Sequence, residues 1–230
     1  MLTLTQVRAR AFRGYQTANG LLPPRMSWLE PGAAAAFAAM NAACDRALEY
    51  TDVYRSVIDQ IRHIKDANAQ KKRLFAPPTK SGHNFGFAVD IAVDESRENF
   101  RKSGRTDLLL AARDPGSFAR WLRGHGWTGI SKESWHFEFL DGHESALAKI
   151  EAVYGPDLGL DNAGVQRALN RLLADQLAQP LVVDGQLGPR THTAAMMADR
   201  ALGLEDNGAC GPWFRRVLAG ATMVIKEVGA

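Results

Sequence analysis

Cysteine is nearly missing from this 230-residue chain. The two present, Cys44 and Cys210, lie far apart and form no metal-ligand pair, so a disulfide scaffold is excluded and reduced thiols are expected. Long apolar runs are missing too. The longest, Ala33 to Met40, falls far short of the ~20 residues that cross a bilayer, which excludes a membrane span. The first residues, MLTLTQVRARAFRGYQ, have no apolar stretch behind their charges, so no secretory signal is expected. Charge of one sign is scarce: the net charge is only +3, and with 46% hydrophobic residues general disorder is excluded. What remains is the mixture of a globular protein that buries a real core, as one large domain or a medium domain with a small companion. An isoelectric point near 9.0 gives weak attraction to anionic partners. Nucleic acid, membrane surfaces and bacterial wall all qualify, and charge alone does not choose among them.

The hydrophobic pattern divides the chain. Ser27 and Glu30 fit a capping box, and the alanine-rich stretch after Pro31 reads as a buried helix to about Leu48. Thr51 to Tyr54 is short and β-prone. A helix with Val57, Ile61 and Ile64 on one stripe follows, ending in Lys71, Lys72, Arg73 and Pro77-Pro78. Phe87 to Val93 alternates as a strand, Phe118, Trp121 and Leu122 mark a helix ended near Gly124, and Ser134 to Leu140 is a second strand. A helix from Glu144 to Tyr154 stops at Gly155-Pro156. These elements predict an α+β domain, an antiparallel sheet with flanking helices, over residues 1–155. Residues 158–230 read as a small all-α three-helix domain: a helix with Val165, Leu169 and Leu172, a turn at Val182 to Gly185, a helix from Pro189 to Leu202, and a last helix from about Pro212.

Two of the six histidines stand in settings that suggest chemistry. His83 precedes the strand that carries Asp90 on a face otherwise made of Ala88 and Ala92, where a carboxylate can be approached closely. His136 sits on the later strand, with Trp135, Phe137 and Phe139 on the opposite face. Two imidazoles and one carboxylate make a three-ligand zinc set with the fourth position open for water. Glu133, three residues before His136, would fall on the wrong face of a regular strand. It is therefore placed in the preceding loop, bent over the metal as a general base. The plain alternative stays open at this point: both histidines could be core or surface residues, and Asp90 a buried hydrogen-bond acceptor.

The segment Ser81-Gly82-His83-Asn84-Phe85-Gly86-Phe87-Ala88-Val89-Asp90 resembles the Ser-x-His-x-x-Gly-x-Ala-x-Asp signature of the zinc D-alanyl-D-alanine peptidases. That family includes VanY-type carboxypeptidases, VanX-type dipeptidases and phage L-alanyl-D-glutamate endopeptidases. Glu133-Ser134-Trp135-His136 is similar to its Glu-x-Trp-His element, and Tyr54-Arg55-Ser56 with Gln60 to its Tyr-Arg-Ser-x-x-x-Gln element. The resemblance implies that His83, Asp90 and His136 hold zinc and that Glu133 is the base. It further implies that Arg55 stabilises the oxyanion, that Ser81 contacts substrate or orients its loop, and that Gln60 braces the arginine loop. His63, His125, His143 and His192 match nothing in the family.

Farther on, Val165-Gln166, Leu169-Asn170, Val183-Asp184-Gly185-Gln186-Leu187-Gly188 and Thr191 resemble a three-helix peptidoglycan-binding domain. Met196-Met197-Ala198 stand where that pattern has a Phe-Gln ending. Together the resemblances imply an endolysin-like, monomeric, zinc-dependent hydrolase of bacterial peptidoglycan, without nucleic acid as partner, that stays in the host cytoplasm until release. Trp135 is similar to the carboxypeptidases and Phe137-Glu138 to the phage endopeptidases; L-alanyl-D-glutamate cleavage is expected, with D-alanyl-D-alanine carboxypeptidase activity as the alternative. Two other classes compete: a non-catalytic wall-binding protein, and an iron oxygenase, whose first two ligands are usually separated by one residue, not six.

Overall fold

The computed structural model describes residues 2–15, 17–69, 76–77, 79–130, 133–155, 158, 160–204, 208–222 and 225–227. The lysine-arginine run at 71–73, Pro78 and Pro156 lie outside the described residues. Two compact units emerge: Met1–Arg55 with Phe85–Ala146 and Ile225–Ala230, and Ser56–Asn84 with Leu147–Val224. No described helix is long and apolar enough to cross a membrane.

In the first unit, β1 (Leu2–Gln6) pairs antiparallel with β2 (Trp28–Leu29), leading into α1 (Pro31–Ala43). Glu30 itself caps α1, its carboxylate accepting from the N–H groups of Gly32 and Ala33, and Pro31 fills the first turn. Ser27, expected as the cap, is instead buried with its hydroxyl donating to the Leu22 and Pro23 carbonyls. The helix ends at Ala43, short of Leu48. The main sheet runs in the order β3-β4-β6-β5, every neighbour antiparallel: β3 (Tyr50–Asp52), β4 (Ala88–Ile91), β5 (Trp127–Ile130) and β6 (Glu133–Phe139).

The strand expected over Phe87–Val93 stops at Ile91. Val93 opens α3 (Val93–Lys102), followed by α4 (Thr106–Arg113), and neither helix was expected from the sequence. Alternation of apolar residues at 87, 89, 91 and 93 hides the turn, because Val93 also fits the first turn of an amphipathic helix. Asp114 caps α5 (Pro115–Gly124) through the Gly116 and Ser117 N–H groups. Phe118 of α5 meets Phe137 of β6 edge-on at 6.0 Å, which seats the helix on the sheet.

The second unit contains α2 (Val57–Ala69), α6 (Ala146–Tyr154), α7 (Asn162–Leu172), α8 (Pro189–Leu202) and α9 (Pro212–Ala221). One core joins Val165, Leu169, Ala194, Ala198, Phe214 and Leu218 of the last three helices. A second cluster packs Val57 and Ile61 of α2 against Leu202 and Val217. Gln166 ties down the Asp184-Gly185 turn: its Oε1 accepts from both N–H groups at 3.1 and 2.8 Å, and its Nε2 donates to Asp184 Oδ1 at 2.7 Å. Asn170 does the same for Leu181, exchanging two hydrogen bonds with its backbone. The polar residues of this motif are thus spent on holding the chain.

Candidate metal centre

The centre is built on the middle of the sheet. Asp90 of β4 and His136 of β6 are direct cross-strand partners, and Nδ1 of His136 lies 2.8 Å from Asp90 Oδ1. His83 arrives from the 3-10 helix Gly82–Phe85, which runs into β4 through Gly86 and Phe87. One ligand atom from each of His83, Asp90 and His136 lies within 4.8 Å of the others. Both imidazoles are buried and Asp90 is half-buried.

Gly86 is what allows the short connection from His83 to Asp90. Its φ of +74° belongs to the left-handed region, and a β-carbon there would stand 2.9 Å from the Glu30 nitrogen and 3.1 Å from the Leu29 carbonyl carbon. The Gly86 carbonyl accepts the Glu30 N–H at 2.7 Å, locking the turn to the start of α1. Within the second unit, the Asn84 side chain accepts the Thr79 N–H at 3.0 Å and its own N–H donates to the Ser81 carbonyl, fixing the loop that carries His83.

Glu133 is not in a loop, as expected, but is the first residue of β6. The strand carries a register irregularity at this point. Gly129 pairs with Phe137 and Ile130 with Glu133, so residues 134 to 136 have no counterpart on β5. Such a bulge re-aims side chains and cancels the two-residue alternation across it. Asp90, Ser134 and the exposed Trp135 line a cavity of about 480 Å³ beside the sheet edge.

Arg55 is half-buried and paired with Asp52, whose backbone is in register with Asp90. Ser56 caps α2 by accepting the Asp59 N–H at 3.1 Å while donating to the Asp59 carboxylate at 2.8 Å, a capping pair not read from the sequence. Gln60 is fully buried and its Nε2 donates to the Ala76 carbonyl at 2.6 Å; the bond braces the chain leading to the His83 loop, whereas a brace on the arginine loop was expected. Ser81 is buried in that same loop. His192 bonds the Gly208 carbonyl and His125 packs on Trp121, structural uses for two of the four remaining histidines.

Sequence reasoning missed two site residues. Asp52 anchors the guanidinium. Glu138, buried two residues past His136, places Oε1 at 3.2 Å from His136 Nε2. The i, i+2 relation on a strand was the signal for it. Burial pulls the His136 pKa down, but hydrogen bonds and charge from Asp90 and Glu138 outweigh this and raise it to about 9. The set fits a divalent metal: two nitrogen donors and a carboxylate converge, and the far nitrogen of one imidazole is already held.

An antiparallel sheet thus presents two imidazoles and a carboxylate together, a set that could hold a metal ion. Residues 26–142, just over half of the chain, match the model of the VanY family, D-alanyl-D-alanine carboxypeptidase. The chain belongs to the VanY family, and so to peptidases acting on peptidoglycan. No curated protein and no solved structure matches it.

Proposed function

We propose that this protein is a zinc-dependent, endolysin-like peptidoglycan peptidase that cleaves the L-alanyl-D-glutamate bond of the stem peptide. The observation that carries the reading is the convergence of His83, Asp90 and His136 within the segment matching the family. These three residues would hold the ion, which when bound supplies a Lewis acid and an activated water at neutral pH. Glu133 takes the proton of the attacking water and returns it to the leaving amine. Arg55, kept in place by Asp52, offers fixed positive charge to the oxyanion of the tetrahedral intermediate. Ser81 and Gln60 shape the loop that carries His83. Residues 1–155 carry the chemistry, and 158–230 tether the enzyme to insoluble wall, raising the effective concentration of cleavable bonds. The protein acts as a monomer, released from the host cytoplasm onto the wall.

A second reading, D-alanyl-D-alanine carboxypeptidase, is favoured by the family's own description. Mass spectrometry of purified peptidoglycan digested with the protein decides between them. New amino-terminal glutamate supports the endopeptidase, and loss of a terminal alanine supports the carboxypeptidase. Release of neither, with zinc supplied, leaves a non-catalytic wall-binding protein.

A further inference from the structure

We propose that Glu138 is a positioning residue that decides which nitrogen of His136 faces the metal. The inference rests on the zinc reading above and deepens it. His136 is clamped at both ends, Nδ1 at 2.8 Å from Asp90 and Nε2 at 3.2 Å from Glu138. The strand register dictates this geometry: Asp90 is the cross-strand neighbour of His136, and Glu138 pairs with Ala88, whose methyl group leaves space beside the ring. The side chains of His136 and Glu138 are only 8% and 10% exposed, so water does not replace the carboxylate as acceptor.

A neutral imidazole has one N–H and one lone pair. With Nε2–H donated to Glu138, the lone pair sits on Nδ1, the nitrogen turned toward Asp90 and the cluster. Without Glu138 the acceptor that holds Nε2–H is gone, and Asp90, 2.8 Å from Nδ1, favours the opposite tautomer, with the proton on the nitrogen that faces the cluster. Carboxylates behind ligating histidines hold both tautomer and ring angle, and their loss typically weakens metal affinity by about 10–100-fold.

The test uses the full-length protein with Glu138→Ala, Glu138→Gln and, as reference, Asp90→Ala. Zinc affinity is read by competition with a chromogenic chelator, ligand geometry by the absorption spectrum of the cobalt-loaded protein, and folding by melting of the metal-free protein. Glu138→Ala is expected to lose about 10–100-fold in zinc affinity with an altered cobalt spectrum. Glu138→Gln retains a carbonyl acceptor for Nε2–H, so it should recover most of the affinity and the wild-type spectrum. Should Glu138→Ala melt too early for measurement, Glu138→Met, of similar volume but with no strong hydrogen-bond acceptor, takes its place, and wild-type zinc affinity and cobalt spectrum in it overturn the inference. Wild-type zinc affinity and spectrum in Glu138→Ala overturn this inference alone. A wild type that binds no zinc, or binds it independently of Asp90, overturns the metal reading and this inference with it.

Discussion

Gly86→Ala tests how the fold delivers the metal ligands. The new methyl group meets the end of the Leu4 side chain at 2.6 Å, which can turn aside, and backbone that cannot: 2.9 Å to the Glu30 nitrogen and 3.1 Å to the Leu29 carbonyl carbon. Holding alanine at φ +74° costs about 1–2 kcal/mol. Forcing apart two packed segments costs about 1–3 kcal/mol more. The 2.7 Å bond from Glu30 N–H to the Gly86 carbonyl would stretch, losing about 0.5–1.5 kcal/mol. Alanine restricts the unfolded chain and returns about 0.4–1 kcal/mol. The net is a loss of roughly 1.5–6 kcal/mol, and at about 2–4 °C per kcal/mol for a chain of this size the melting temperature should fall by roughly 3–24 °C. Gly104→Ala is the internal control, since its φ is +72° and nothing lies within 4 Å of the added carbon. It should lose only the conformational part less the same unfolded-chain return, at most about 1.5 kcal/mol. Calorimetry of wild type and both variants reads the difference, and zinc affinity should fall in Gly86→Ala alone because the shifted turn joins His83 to Asp90. Equal melting of the two variants would refute the reasoning.

Glu133→Gln should keep zinc and fold but lose about 10²–10⁴-fold in turnover, read by elemental analysis and stem-peptide hydrolysis; loss of zinc would make Glu133 a ligand. Arg55→Ala leaves the buried Asp52 carboxylate without the guanidinium that faces it, which costs about 3–5 kcal/mol. The double variant Arg55→Ala/Asp52→Asn should therefore recover melting temperature while hydrolysis stays low, and recovery of both would remove Arg55 from the mechanism. Hydrogen bonds from Gln166 and the Gln186 N–H lower the Asp184 pKa. Its contribution is thus complete above the unfolded carboxylate value of about 3.9 and is lost as pH falls through the lower folded value. Melting of wild type should fall more steeply with acid over that window than melting of Asp184→Asn, and parallel curves would contradict the assignment. Residues 1–155 alone would expose Val57 and Ile61, which the cluster with Leu202 and Val217 buries, so that fragment should bind hydrophobic dye and melt below the full chain. A fragment as stable as the whole protein would show the cluster to be dispensable.

Elements with strong local punctuation were legible in the sequence. Pro31, Gly188-Pro189 and Pro212 open helices where expected, since proline at the first helical turn costs nothing and fixes φ. That Asp90 and His136 each lie on a strand was legible too, though not that the two strands pair with these residues in register. What the sequence hid was set by long-range packing. The two-residue strand β2 and the strand β7 (Ile225–Glu227), parallel to β1, carry too few residues for a periodic signal. Helices α3 and α4 are short, and α3 is rich in charge, so its buried face reduces to Phe100 with Ser96 and Asn99. The role of α2 was hidden for another reason. Its stripe of Val57 and Ile61 reads correctly as buried, but no local pattern says that residues more than 140 positions later cover it.

The spacing of Glu133 and His136 shows how a motif can encode an irregularity. Three residues apart on a regular strand, the two side chains would point to opposite faces. A helix would bring them to one face, yet the flanking Trp127–Ile130 and Phe137–Phe139 segments are paired as strands. The sheet omits residues 134–136 from the ladder with β5 while keeping His136 in register with Asp90 on β4. β6 is therefore regular toward the ligand strand and irregular toward its other neighbour. Regularity is needed on the first side, because a one-residue slip would carry His136 to the opposite face from Asp90. Slack is tolerated on the second side, where no proposed ligand stands. The four-residue segment Glu-Ser-Trp-His is thus a register irregularity with a proposed ligand at its end.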